Sequence, residues 1–502
     1  MGGMTRVVVV GGGLAGLAAA YALSPAAGAP WRLPAERLPE VVVVERSPRF
    51  GGKIDTVRRD GYVIERGPDS FLARKPAARR LVAALGLDGE AVGTGPEGRG
   101  AYVFFRGRLH PLPEGMATGI PTRLGPLVRT GLLSLRGKAR AALELFLPRG
   151  PAGDEALGAF LTRRFGREVT DRLAGPLLSG IYAGDVHRLS VLATFPHLKA
   201  LEARHGSLLR TMLAGPRERP PAIDPPWPEA VQSSTFVSFR RGLLTVVEAL
   251  TAALAAGGAR LIAGRGAVAI RKEGSAYAVA LEGGEAIRAE AVILAVPAAA
   301  ARALLGPAGE AFLPLEAGTP YASVANVAVW TEAAALSALP PGSGFVVARD
   351  GRPAITAVTW TTRKWPHTTP PGGALFRVYF GDATTDVAER LTDAELEAAA
   401  LSFLQETSGV RRPPAGVLVS RWRAAMPAYG VGHRERLSAL RAALERTLPG
   451  IFVAGSAYDG VGLPDVAESG RRAAEAALDY LQGGGAPAPG AGGPPEGKEA
   501  GA

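Results

Sequence analysis

The chain has 502 residues, a length that predicts about three domains at ~150 residues each. Apolar residues make up 47% and charged residues 21%, which supplies a sizeable core and excludes a chain disordered throughout. Net charge is +11, from 57 basic against 46 acidic residues, and only seven of the basic ones are Lys. Cysteine is absent, which excludes disulfides, thiolate nucleophiles, thiolate-bound zinc and iron–sulfur clusters. Redox chemistry would have to use a bound organic cofactor. The six His show no HxxxH or HExxH spacing, so no metal site is expected.

The basic residues are spread along the chain, without a basic helix interleaved with aromatics or an RNA-binding signature, which argues against nucleic acid. Between Ala101 and Gly150 eight Arg or Lys stand against two Glu, a local net of +6. Such a stretch suits a solvated basic face, attraction of an acidic substrate, or contact with an anionic membrane surface.

In chain order, Val7 to Trp31 carries no charge and follows Arg6, which a signal peptide would partly match. Three consecutive glycines favour another reading: a buried strand (Val7 to Val10), a turn, and a small-residue helix (Leu14 to Leu23). No other stretch reaches the ~20 continuous apolar residues of a membrane span, so a soluble, cytoplasmic protein is expected. Ser24 to Glu40, with four prolines, reads as an insertion before the second strand, Val41 to Val44, which ends in Glu45 with Arg46 beside it. Gly11, Gly13 and Gly16 fit GxGxxG, with Gly12 inside the turn. The glycines permit a tight turn, close approach of a pyrophosphate and close helix–strand packing, while the helix start offers free N–H groups. Glu45 is placed to accept hydrogen bonds from a ribose, although it lies 29 residues beyond Gly16 against a usual ~20.

Arg49-Phe50-Gly51-Gly52-Lys53 and Gly67-Pro68-Asp69-Ser70 follow as turns. Lys75 to Gly215 reads as a helical region, with amphipathic stretches such as Leu132 to Leu147; Pro216 to Trp227 reads as a linker. A helix is expected over Leu243 to Ala256, and strands over Ala267 to Ile270, Tyr277 to Leu281, Ala291 to Val296, Ser323 to Trp330 and Leu375 to Phe380. Glu395 to Leu404 is a predicted helix, Ile451 to Gly455 a short strand, and Asp465 to Leu481 a terminal helix. Gly483 to Ala502 holds seventeen Gly, Pro or Ala and should be disordered. The expected fold class is α/β and α+β: a Rossmann-like nucleotide-binding domain drawn from 1–75, 229–300 and 421–482, a helical domain at 76–228, and a mixed-sheet substrate domain at 301–420.

GxGxxG, the Arg-x-Gly-Gly-Lys segment and the C-terminal strand-Gly-helix resemble the FAD-containing amine oxidase superfamily. More specific strings resemble its oxygen-dependent porphyrinogen oxidases: GPDSFLARKP (67–76), GIPTRLGP (119–126), SGIYAGD (179–185), LSVLATFP (189–196), SVANVAV (323–329), KWPH (364–367), RWRAAMPAYGVGH (421–433) and DGVGLPD (459–465). KWPH and the MPxYxVGH string look closest to the branch acting on coproporphyrinogen III; its relatives act on protoporphyrinogen IX. The resemblance implies FAD, oxidation of a porphyrinogen to a porphyrin, dioxygen as acceptor and hydrogen peroxide as product. Another oxidase or desaturase of the superfamily, or a non-catalytic flavoprotein, stays open. So do monomer or homodimer, and peripheral contact with a membrane or with neighbouring haem-pathway enzymes.

For FAD the resemblance implies Gly11, Gly12, Gly13, Gly16, Glu45, Arg46, Gly52, Lys53, Gly67, Pro68, Asp69, Ser70, Val268, Trp422, Gly455, Val461, Gly462 and Leu463. Core packing competes at Val268 and Trp422, and an ordinary turn at the glycines. For substrate, Lys75 is expected to face a propionate, with Arg74 as the alternative and a solvated surface Lys as the competing role. Ile181 and Tyr182 would line an apolar slot, or else a helix core. No catalytic residue is assigned, because the pyrrolic proton could leave to water or to an unassigned group. His367 and His433 are expected to be structural.

Overall fold

The computed structural model describes the chain apart from residues 1–4, 36, 114–115, 118–119, 122–123, 214–222, 349–354, 411–412 and 484–502, and apart from the side chains of 116–117, 120–121, 124, 181 and 212–213. The expected disordered tail, beyond Gly483, and most of the proline-rich linker therefore lie outside the described residues.

The valine run Arg6–Val10 is the central strand of a five-stranded parallel sheet. Glu40–Glu45 and Ala291–Leu294 flank it, and Arg260–Ala263 and Ile451–Val453 form the edges. A strand covered on both faces reads as an unbroken apolar run, because alternate side chains enter different cores. Val7 and Val9 enter one core with Leu17, Tyr21, Leu250 and Ala474; Val8 and Val10 enter another with Ile270, Tyr277 and Leu440. On the first face the helices Leu14–Ala22 and Leu463–Leu481 pack together. Gly470 permits this approach, since a Cβ there would lie 2.1 Å from the Ala15 carbonyl oxygen.

A second, seven-stranded sheet runs in the order Gly416–Pro427, Tyr321–Glu332, Gly373–Phe380, Ile355–Trp360, Gly344–Val347, Tyr102–Phe105, Arg108–Pro111. Leu244–Ala256, Ala267–Glu273, Ala276–Leu281 and Asp393–Ser408 form where the sequence patterns place them. The strands Arg260–Ala263 and Gly416–Pro427 and the helix His433–Thr447 have no counterpart in those patterns.

The helical region expected over Lys75 to Gly215 needs correction. It opens with the helix Pro76–Ala84 and then turns to strands before helices resume at Leu124. Tyr102–Phe105 and Arg108–Pro111 form a hairpin whose turn residues, Arg106 and Gly107, both have positive φ (50° and 77°), the requirement of a primed two-residue turn. Val103 and Phe105 enter the helical core and Phe104 the sheet core, so a period of two decides the conformation. Leu132 to Leu147 resolves into the helix Leu135–Ala142 and the 3-10 turn Leu143–Phe146.

That helical layer is fastened by a fully buried ion pair between Arg164 and Glu144. Glu144 also accepts hydrogen bonds from the Leu208 and Leu209 amides (2.9 and 3.1 Å), and Arg164 donates to the Gly206 and Pro148 carbonyls (2.7 and 2.9 Å). Glu144→Gln, which leaves the buried guanidinium only the more distant carboxylate of Glu202 (3.4 Å), should cost about 3 kcal/mol in chemical denaturation. Glu144→Leu combined with Arg164→Met should cost less than the single change.

Candidate cofactor and substrate site

The site begins where the first strand ends. Gly11 (φ +109°) has no room for a side chain, because a Cβ would lie 2.5 Å from the Ala295 carbonyl oxygen, and one on Gly16 would lie 1.9 Å from the Gly11 oxygen. Gly13 caps the first helix without a side-chain hydrogen bond, so N–H groups of the first turn stay available. The nearest atom to a Cβ on Gly13 would be the Gly52 Cα, 4.0 Å away. Gly51 donates to the Gly12 carbonyl (2.8 Å), which docks the Gly51–Lys53 turn against the glycine turn.

Glu45 accepts from the Gly12 amide (2.7 Å) and from the amide and hydroxyl of Ser47 (both 2.8 Å). Arg46 is exposed, its stem against Gly266, and the Arg265 amide donates to the Glu45 carbonyl (3.2 Å). Val268 is 52% exposed, which excludes core packing and leaves its side chain accessible at this end of the cradle.

Lys53 is half-buried, and its Nζ donates to Ser456 Oγ (3.2 Å), with no carboxylate partner among the described residues. Burial pushes its amine down to about 8. Gly67 packs on the Lys53 carbonyl, 1.9 Å from where its Cβ would be. Trp422 Nε1 and Asn326 Nδ2 both donate to the Arg66 carbonyl (2.7 Å each), and Arg377 Nη2 donates to the Gly67 carbonyl (2.6 Å). The Trp422 indole N–H therefore acts on the turn itself. Asp69 receives Lys364 Nζ (2.9 Å), Trp365 Nε1 (3.3 Å) and Ser70 Oγ (2.7 Å). Burial raises its carboxyl, but Lys364 and Arg377 outweigh that and hold it well below the usual carboxylate range. Its charge is thus spent on the protein, leaving the backbone around half-buried Pro68 to face a cofactor.

From the far end of the chain come Gly455 (φ +111°), whose amide donates to Ser469 Oγ (2.9 Å), and the turn Val461–Leu463. Gly462 caps the last helix, again without a side-chain hydrogen bond. Leu14, Ile54, Phe71, Leu463 and Pro464 line one small apolar cavity, so the starts of the first and last helices share a wall. Two uncapped helix starts, a half-buried lysine lacking a carboxylate and glycines that exclude side chains fit a dinucleotide with a diphosphate.

Beside this cradle, Tyr182 packs edge-on against Phe195 (5.8 Å), which meets His197 (6.0 Å). Lys75 precedes the helix Pro76–Ala84 and pairs with Asp465 of the last helix (2.8 Å); Arg74 is exposed. Burial, then Arg74 and Lys75, push the His197 imidazole down, and burial, then Asp465, push the Tyr182 phenol up, so these groups share one neighbourhood. The side chain of Ile181 lies outside the described residues. His433 has both ring nitrogens engaged, with Thr319 Oγ1 (3.1 Å) and the Tyr458 carbonyl (2.9 Å), and stacks on Tyr429. His367 has a buried Nε2 without a partner among the described residues.

Arg377, Asn326, Ser456 and Asp465 are absent from the sequence-based candidates. A single Arg inside the apolar strand run Gly373–Phe380 was a readable signal, and KWPH, quoted only as a resemblance, contributes the two groups that hold Asp69.

A parallel dinucleotide sheet carrying this cradle defines an FAD-dependent oxidoreductase. Residues 14–478 match the flavin containing amine oxidoreductase family, and the chain belongs to it. It is 39% identical over 485 residues to the coproporphyrinogen III oxidase of Bacillus subtilis, covering 95% of this chain and 99% of that one. It is 32% identical over 496 residues to the protoporphyrinogen oxidase of Bos taurus, covering 94% and 98%. A crystal structure from Exiguobacterium sp. 255-15 superposes with a TM-score of 0.81 at 33% identity, covering 96% of this chain and all of that one.

A cation at Lys53 would make binding of an anionic cofactor pH-dependent. Its folded value of about 8 lies below the ~10.4 of a free lysine, so the free protein binds fewer protons than the unfolded chain between those values and gains stability as pH rises through them. An anionic cofactor restores the charge. FAD affinity, followed by flavin fluorescence, should be level below about pH 8 and fall above it. Lys53→Met should weaken binding and flatten that profile.

Proposed function

We propose that this protein oxidises a porphyrinogen to a porphyrin in haem biosynthesis, with coproporphyrinogen III as the first substrate and protoporphyrinogen IX as the alternative. The reaction removes six electrons in three two-electron steps; dioxygen is the final acceptor and hydrogen peroxide forms. FAD, when bound, takes up each electron pair. The observation that carries this reading is the meeting of the last helix start with Lys75, Arg74, Tyr182 and Phe195: an aromatic wall with cations at its rim, beside the cofactor turn. An apolar macrocycle edged with carboxylates is complementary to it. Lys75 or Arg74 would orient a propionate, and Tyr182 with Ile181 would line the apolar slot.

In this reading FAD is held by Gly11, Gly12, Gly13, Gly16, Glu45, Arg46, Gly52, Lys53, the Gly67–Ser70 turn, Val268, Trp422, Gly455 and the turn of Val461, Gly462 and Leu463. The 1–75, 229–300 and 421–482 segments form the FAD unit; the substrate unit at 301–420 takes in the hairpin Tyr102–Pro111, and the helices of 76–228 form the third unit.

Membrane contact belongs to the same proposal. Among the described residues no helix is long and apolar enough to cross a bilayer. Leu135, Phe146 and Leu143 are nonetheless 85%, 77% and 52% exposed, in a stretch of chain that also carries the exposed cations Arg129, Arg136 and Arg149. The acidic residue of that stretch, Glu144, is buried against Arg164. An outward apolar stripe framed by cations suits an anionic lipid surface.

Incubation of the FAD-loaded protein with each porphyrinogen in air should raise porphyrin fluorescence above the autoxidation control, faster for coproporphyrinogen III. Lys75→Met should raise KM about fivefold, as loss of a half-exposed charge pair of about 1 kcal/mol implies. No porphyrin above the control, with flavin unbleached by either compound, would return the protein to the other oxidases or to non-catalytic flavoproteins. Sedimentation with phosphatidylglycerol vesicles should retain the protein, and Leu135→Asp with Phe146→Asp should weaken retention at least tenfold, given ~1.5–3 kcal/mol per buried apolar side chain.

A further inference from the structure

The Lys75–Asp465 pair joins residues 390 positions apart, and its placement is not that of a loose surface contact. Lys75 is the residue before the helix Pro76–Ala84, and Asp465 is in the first turn of Leu463–Leu481, so the positive ends of two helices converge on it. Asp465 folds back over the turn that precedes its own helix. A Cβ on Gly460 (φ +140°) would lie 2.9 Å from the Asp465 Cβ, and one on Gly462 would lie 3.0 Å from its Oδ2. Two glycines thus reserve the space this carboxylate occupies, on the turn assigned above to FAD. On its other side Asp465 acts on the Tyr182 phenol, and Lys75 on His197, so the pair stands at the rim of the aromatic wall. Lys75 and Asp465 remain 42% and 35% exposed, so solvent or a ligand reaches both.

A bracket between the two helices already exists deeper along them, where Arg80 pairs with Glu468 (3.0 Å). The rim pair is therefore not needed to hold them together. Its geometry is that of a cation kept neutral until a second carboxylate arrives.

We propose that Asp465 is a positioning residue for the substrate-binding lysine: it occupies Lys75 as an internal stand-in for a substrate carboxylate and is displaced when that carboxylate binds. The inference rests on the porphyrinogen reading above. Charge is conserved in the exchange, because one carboxylate leaves the ammonium as another takes its place. An ionised carboxylate can displace Asp465, whereas an ester or amide lacks the charge to do so. Lys75 is thereby held in place between turnovers at some cost in affinity for the acid, and a macrocycle without a carboxylate leaves the internal pair intact.

The test uses the FAD-loaded full chain and two probes, coproporphyrin III and its tetramethyl ester, with binding read from quenching of flavin fluorescence. Asp465→Asn should tighten binding of the acid about fivefold, the equivalent of about 1 kcal/mol for a half-exposed pair, and leave the ester unchanged. KM for the porphyrinogen should fall by a similar factor while kcat moves less. In a Lys75→Met background, Asp465→Asn should have no further effect on acid binding, and Glu468→Gln, which opens the deeper bracket, should leave the acid-to-ester ratio alone. Asp465→Ser serves as the second variant should the amide disturb the turn. Unchanged or weaker acid binding in both Asp465 variants, with a lowered melting temperature, would make the pair a structural bracket and overturn the proposal. If the unmodified protein binds neither probe, it is the porphyrinogen reading that fails.

Discussion

The first and last helices touch through glycine: Gly470 lies so near the Ala15 carbonyl that one methyl group would overlap it. Helices packed by side chains alone stand 8–10 Å apart, so this contact decides how near the Val461–Leu463 turn comes to the glycine turn after the first strand. The same approach brings Leu463 and Pro464 to Leu14 and Ile54. Residues that no local sequence pattern connects, from both ends of the chain, thereby share one cradle.

Electrostatics around the cradle divide into charges the protein neutralises and charges it leaves for something else. Asp69 is answered by Lys364 and Arg377, and Asp55 by Arg66 (3.0 Å) and Arg49 (3.3 Å). Lys53 has a hydroxyl alone, and Lys75 holds a carboxylate that solvent can reach. The surplus of positive charge, uninformative as a total, becomes readable at these positions: Lys53 has no carboxylate partner among the described residues, and Lys75 keeps its own within reach of solvent.

The sequence was legible where burial imposes a pattern on neighbouring residues. Four valines followed by three glycines specify a covered strand and a tight turn, because few other structures tolerate that combination. The hairpin Tyr102–Pro111 was not legible, since its turn uses Arg106 where Asn or Asp would announce it, and its sheet partner, Gly344–Val347, lies more than two hundred residues further on. Arg260–Ala263 is too short to show a period of its own. Motif strings singled out Gly11, Gly13, Lys53 and Lys75, which the fold gathers near the starts of the first and last helices. They could not reveal that Asp69 is neutralised by Lys364 of KWPH with Arg377, or that Lys75 meets Asp465. Those facts follow from chain crossings that only the folded state contains.

The order of strands in the parallel sheet also bears on how the protein is made. The central strand is made before its neighbours, yet Ala291–Leu294 follows nearly three hundred residues later, and the edge strand Ile451–Val453 and the last helix come later still. Until then Val7 to Val10 have only Glu40–Glu45 and, later, Arg260–Ala263 to complete their side of the sheet. A nascent chain therefore carries an uncovered apolar edge through most of synthesis, the kind of surface that holdase chaperones shield. The nucleotide cradle cannot close until Leu463–Leu481 has been made, so its completion waits on the last element of the described fold.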